Sequence, residues 1–122
     1  MRVWGLLGLL GLLGLLASAQ VWAQACVVNS QAERVSVEVC QQNRNIPPKL
    51  FREGFCQPNL PGQQVKVQYL EQCPQGAYGI CRGARVERMP YEQDIHYYGV
   101  ASDTAYLKPF CEQNSQGHWD KP

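Results

Sequence analysis

Six cysteines in a short chain constrain this sequence more than any other feature. They stand at positions 26, 40, 56, 73, 81 and 111 of 122 residues, and an even count in a chain this small is the pattern of a disulfide framework made in an oxidising compartment. There is no Cys-x-x-Cys pair and no cysteine–histidine group with zinc spacing, which removes a thioredoxin-type redox motif and a zinc module. Cys73 and Cys81 are the closest pair that a turn, Cys73-Pro74-Gln75-Gly76, brings back on itself. A local Cys73–Cys81 staple is therefore the first expectation, contributing about 2.5 kcal/mol by loop closure. Spacing leaves the pairing of the other four open.

The oxidising compartment agrees with the first 25 residues. Met1-Arg2 is a minimal positive start, Gly5 to Leu16 is an apolar run of four Gly-Leu-Leu units, and Ala23-Gln24-Ala25 offers small residues at the minus-three and minus-one positions of a signal-peptidase site. The expected division is a cleavable signal peptide over 1–25, a disulfide-stabilised domain over 26–112 and a polar tail over 113–122. The apolar run is shorter than the roughly 20 residues of a membrane span, so no membrane span is expected. Cys26 directly after the expected cut gives a competing reading as an acylated cysteine. A lipid anchor there would strand an odd thiol among the other five, and disulfide bonding is favoured. The expected location is periplasmic or extracellular.

Without Arg2, ten basic residues balance ten acidic ones. No global field draws the mature chain to nucleic acid or anionic lipid. Arg82, Arg85 and Arg88 cluster locally, but Glu87 and Glu92 accompany them.

Hydrophobic periodicity predicts the elements. Val35, Val37 and Val39 alternate with Ser36, Glu38 and Cys40, which reads as a strand over 33–40. Pro47-Pro48 ends the following loop, and Pro48 to Gly54 reads as a short helix with Gly54 as its left-handed cap. Val65, Val67 and Tyr69 mark a second strand over 63–72, Ala77 to Glu87 a third, and Glu92 to Val100 a fourth. Ser102-Asp103 offers a helix N-cap ahead of Tyr106, Leu107, Phe110 and Cys111, with Pro109 an obstacle inside that helix. These elements add up to a small single α+β domain with an antiparallel sheet of three to five strands and one or two short helices, pinned by disulfides. No internal repeat is read beyond the leader.

The densest chemistry lies between Tyr91 and Tyr98. On a strand, Glu92, Asp94, His96 and Tyr98 share one face. Asp94 and His96, two residues apart, are the candidate metal ligands, and Glu92, Asp94 and His96 together the candidate acid–base group. The same alternation is what the polar face of any antiparallel strand looks like. No serine carries an activating motif and no glycine-rich stretch has a phosphate-loop ending, so an enzyme is unsupported and no cofactor is expected. Tyrosine gives contact area at low entropic cost. Tyr91, Tyr97 and Tyr98, with Arg82 and Arg85, form the expected binding surface, whereas Tyr69, Tyr78 and Tyr106 are expected to fill the core. The leading functional expectation is an exported cysteine-rich binding or structural module of the bacterial envelope, with a protein or envelope component as partner. The alternatives are an inhibitor or effector presenting a Cys73–Cys81 loop, and an enzyme built on Glu92, Asp94 and His96.

Overall fold

A computed structural model describes residues 23–86 and 88–122, so the leader expected over 1–25 lies outside it except for residues 23–25. The described residues form one antiparallel sheet of six strands, more than the three to five expected: β1 (Ala25–Ala32), β2 (Val35–Asn43), β3 (Gln64–Leu70), β4 (Gly79–Arg85), β5 (Glu92–Tyr98) and β6 (His118–Asp120). Between β2 and β3 lies a short α-helix, α1 (Pro48–Leu50), running into a π-helical turn Phe51–Phe55. Between β5 and β6 a 3-10 turn Ala101–Asp103 leads into α2 (Thr104–Pro109) and a second π-helical turn Phe110–Asn114.

The strand order β3-β1-β2-β5-β4-β6 is symmetric about the β2·β5 pair. Each half is a hairpin, a helical segment and a returning outer strand, so the chain is two copies of one ββαβ arrangement. The disulfides repeat with it. Cys26 on β1 bonds Cys56 just past the first helical segment, and Cys81 on β4 bonds Cys111 in the second, each spanning 30 residues. A Phe-Cys pair accompanies each helical segment, Phe55-Cys56 at the end of the first and Phe110-Cys111 at the start of the second π-helical turn. The repeat escaped the sequence reading because little beyond those cysteines and the Phe-Cys pairs is shared.

The third disulfide joins Cys40 on β2 to Cys73. The Cys73–Cys81 staple is thereby corrected: Cys81 is directed at Cys111, and Cys73 reaches across the sheet rather than along its own hairpin. Cys26, fully buried and bonded to Cys56, has no free sulfur for a lipid thioether.

Register assigns the faces, because residues opposite one another across a ladder project to the same side. Cys26 faces Gln41, Gln41 faces Ile95, and Ile95 faces Cys81, which faces Trp119. Both disulfide-tethered helical segments therefore cover this one side, the helix face. Cys26, Val28, Ile46, Phe51 and Cys56 pack under the first segment, and Cys81, Ala84, Cys111 and Trp119 under the second. On the opposite face Ala25, Val27 and Cys40 form a third cluster with Leu70, Cys73 and Tyr98. With core on both faces at its start, β1 loses the alternation that marks a strand, which is why the sequence pattern missed it.

The segment expected as a tail instead supplies β6, paired to β4 through Ile80–Asp120, Cys81–Trp119 and Arg82–His118. Trp119 is buried and stacks on Tyr97, ring centroids 5.6 Å apart. Gly79 makes room for it, since a Cβ there would overlap the indole ring. Gly54 is not a left-handed cap but lies inside the first π-helical turn against Leu50. No side chain caps the second helical segment, and Pro109 ends α2 where the ladder changes from α to π, so its missing N–H falls at the changeover.

Candidate functional site

Two surfaces carry the residues of interest, one on each side of the β2·β5 pair. On the open face, Glu92, Asp94, His96 and Tyr98 project together, as the period-two pattern requires. The structure gives Asp94 a specific job. A bulge interrupts β4 between Cys81 and Ala84, with Gly83 at φ 68°, a left-handed conformation that favours glycine. The Gly83 N–H donates to Asp94 Oδ1 at 2.9 Å, and Arg44 Nε donates to the same oxygen at 2.7 Å. Arg82 Nη1 stands 3.8 Å from Oδ2, while Arg82 Nε donates to Asp120 Oδ2 at 2.7 Å. Asp94 thus ties together the bulge, the loop after β2 and, through Arg82, the outermost strand. Oδ1 is taken by two donors of the fold, and Oδ2 faces the Arg82 guanidinium.

His96 faces Cys40 on one side and Ile80 on the other, beneath the Cys73–Ala77 loop. Burial lowers its pKa; the Asp94 carboxylate opposes the shift and Arg82 adds to it. Among the described residues no three His, Cys, Asp or Glu side chains come together in a metal-holding group. Arg85 pairs with Glu92 at 3.6 Å. His118 lies on the open face opposite Arg82.

The tyrosines of the Tyr91–Tyr98 stretch are divided. Tyr91 packs against the first helical cluster. Tyr97 and Tyr98 face opposite sides, as adjacent strand residues must. Tyr97 lies on the helix face against Trp119, and Tyr98 lies on the open face, where its hydroxyl donates to the Pro74 carbonyl. Tyr69 and Tyr78 are half-buried, in keeping with a core role, but Tyr106 is 78% exposed and corrects its assignment to the core. Phe110 is exposed as well. The π-helical turn places Cys111 inward, which turns Phe110 out.

Tyr106 belongs instead to an apolar groove of about 360 Å³ on the helix face, where the helical segments leave the end of β2 uncovered. Val35, Val37 and Val39 form one wall, Tyr78 and Tyr97 the floor, and Val100, Tyr106 and Leu107 the other wall. Val35 is 60% exposed and Val100 63% exposed, so apolar side chains meet water side by side. The β2·β5 ladder ends at Glu38–Tyr98, whereas β2 continues to Val35. Among the described residues, Val35 to Val37 have β1 on one side and no strand on the side of the groove. The charged residues lining the groove, Glu38 and Asp103, are both acidic. Burial, with Asp103 adding to it, raises the Tyr78 pKa, and burial, with Glu38 adding to it, raises that of Tyr98.

Of the expected binding residues, Tyr97 lines this groove with its side chain and Tyr98 borders it at the last rung of the ladder, its own side chain on the open face, whereas Tyr91, Arg82 and Arg85 do not reach it. The alternation of Val35, Val37 and Val39 marks a strand but does not say whether its apolar side meets core or water, and Val100 stands only as the end of the fourth expected strand. The available signal was the second apolar stripe, Tyr106-Leu107 with Phe110, which a short helix tethered by one cysteine cannot bury in full.

No protein-family model matches the chain, and neither the curated proteins nor the solved structures give a match.

Proposed function

We propose that this chain is an exported, disulfide-stabilised binding module of the bacterial envelope, and that it takes an extended segment of a protein partner into the groove beside β2. The observation that carries this reading is the overhang of β2. Val35 to Val37 run past the last rung of the β2·β5 ladder and leave a strand edge beside an exposed apolar wall. An added strand satisfies such an edge through main-chain hydrogen bonds, and its alternate side chains fill the flanking pocket. Contiguous exposed apolar side chains on a small domain are the usual mark of an interaction surface. Glu38 and Asp103 favour a segment bearing lysine or arginine beside its apolar residues.

Three disulfides in a small domain and the apolar leader support the exported setting. The use of Asp94 Oδ1 by the bulge amide and Arg44 weighs against the reading of Asp94 as the acid–base partner of His96.

An NMR titration tests the reading. The probe is a short synthetic peptide of alternating valine and threonine flanked by lysines, compared with the same peptide flanked by glutamates. The expected result is amide shifts confined to Val35–Val37, Val100 and Tyr106, larger with the lysine peptide. Equal shifts with both peptides, or shifts centred on His96 and Arg82, count against it.

A further inference from the structure

The sequence places a signal-peptidase cut after Ala25, yet the fold uses the two residues before that bond. Ala25 is 0% exposed and belongs to the cluster formed with Val27, Cys40, Leu70 and Cys73. It is the first residue of β1, paired with Gln42 on one side and Leu70 on the other. Gln24 is bound just as firmly through its carbonyl, which accepts the Asn43 N–H at 2.8 Å and Gln42 Nε2 at 3.2 Å. The same Gln42 amide donates to the Glu71 carbonyl at 3.3 Å and accepts the Cys73 N–H at 2.9 Å. Gln24 is thus one corner of a network holding the start of β1 to β2 and to the loop fixed by the Cys40–Cys73 disulfide.

A cut after Ala25 would remove that corner and the buried methyl. It would also put a new α-ammonium on Cys26, which is 0% exposed and lies between β2 and β3. A charge moved into such a place is costly unless paired, and the facing residues Gln41 and Tyr69 carry no negative charge.

We infer that the leader is cut upstream of Gln24, at the Ala23–Gln24 or the Ala19–Gln20 bond, so that Gln24 and Ala25 remain on the mature protein. Both bonds have a small residue on the leaving side and a tolerated one two positions earlier, Val21 for the first and Ala17 for the second. Hydrolysis adds water across the bond, leaving a carboxylate on the alanine and a free amine on the glutamine. Either cut leaves the new amine on a residue that precedes Ala25, the first residue of β1. The inference rests on the reading of residues 1–25 as a leader.

The test is N-terminal sequencing and intact mass of the full chain after export in a Gram-negative host. A mature protein beginning at Gln24 or Gln20 is the expected result. One beginning at Cys26, free or acylated, overturns the inference while leaving the leader reading intact, and an uncut chain overturns both. A second measurement compares oxidised proteins made to begin at Gln24 and at Cys26. The shorter one should melt lower by about 5 °C or more, and equal midpoints contradict the inference.

Discussion

Arg44 Nε donates to Asp94 Oδ1 at 2.7 Å, joining residues 50 positions apart in the chain, and the same oxygen accepts the Gly83 N–H of the β4 bulge. A carboxylate that looks like half of an acid–base pair in the sequence is, in the fold, the acceptor for an amide the bulge leaves unpaired. Replacing Asp94 with alanine orphans that amide and leaves Arg44 without its acceptor. The expected loss is about 2–3 kcal/mol, most of it from the amide, because Arg44 is half exposed and its ion pair is screened. Asp94→Asn, which keeps an acceptor for Gly83, should lose less. Chemical denaturation of the two variants checks the order.

The two ββαβ halves carry equivalent tethers, Cys26–Cys56 and Cys81–Cys111, closing loops of equal span. Removing either pair by double substitution with alanine should cost about 3–4 kcal/mol by loop-closure entropy, and the two losses should agree to within about 1 kcal/mol. Only removal of Cys81–Cys111 should change the fluorescence of Trp119, which packs in that cluster. Denaturant melts of both variants read the comparison, and an effect confined to one pair would contradict the equivalence.

His96 sets a pH dependence whose sign follows from its burial. Its pKa in the folded chain lies below the ordinary 6.5, burial outweighing the opposing Asp94 carboxylate. The unfolded chain therefore takes up a proton first as pH falls. Stability due to His96 is complete above about pH 6.5 and declines as pH drops from there toward the folded pKa. His96→Gln should flatten this limb of the stability–pH curve, and a wild-type limb that survives the substitution unchanged would assign the effect elsewhere.

The sequence made the disulfide framework, the antiparallel sheet and four of its six strands legible, because Val35–Val39, Val65–Tyr69 and Glu92–Tyr98 follow a period of two and the cysteines are even in number. It hid β1, whose Ala25 to Val28 are buried on both faces, and β6, whose three residues are too few for any period. The shared face of Glu92, Asp94, His96 and Tyr98 was visible, but the bulge at Gly83 that occupies Asp94 was not, since it depends on register between strands. The groove was hidden for the same kind of reason. Whether Val35 and Val37 meet core or water depends on where the β2·β5 ladder stops, and that is a property of the pair.

The most direct measurement of the central claim is calorimetric affinity for the lysine-flanked valine–threonine peptide, wild type against Val37→Glu. Val37 is exposed on the groove wall, so the substitution should alter stability by no more than about 0.5 kcal/mol. The account predicts at least a tenfold loss of affinity, about 1.4 kcal/mol, as a hydrated carboxylate replaces an apolar contact beside the free edge of β2. Unchanged affinity in a fully folded Val37→Glu protein would contradict it.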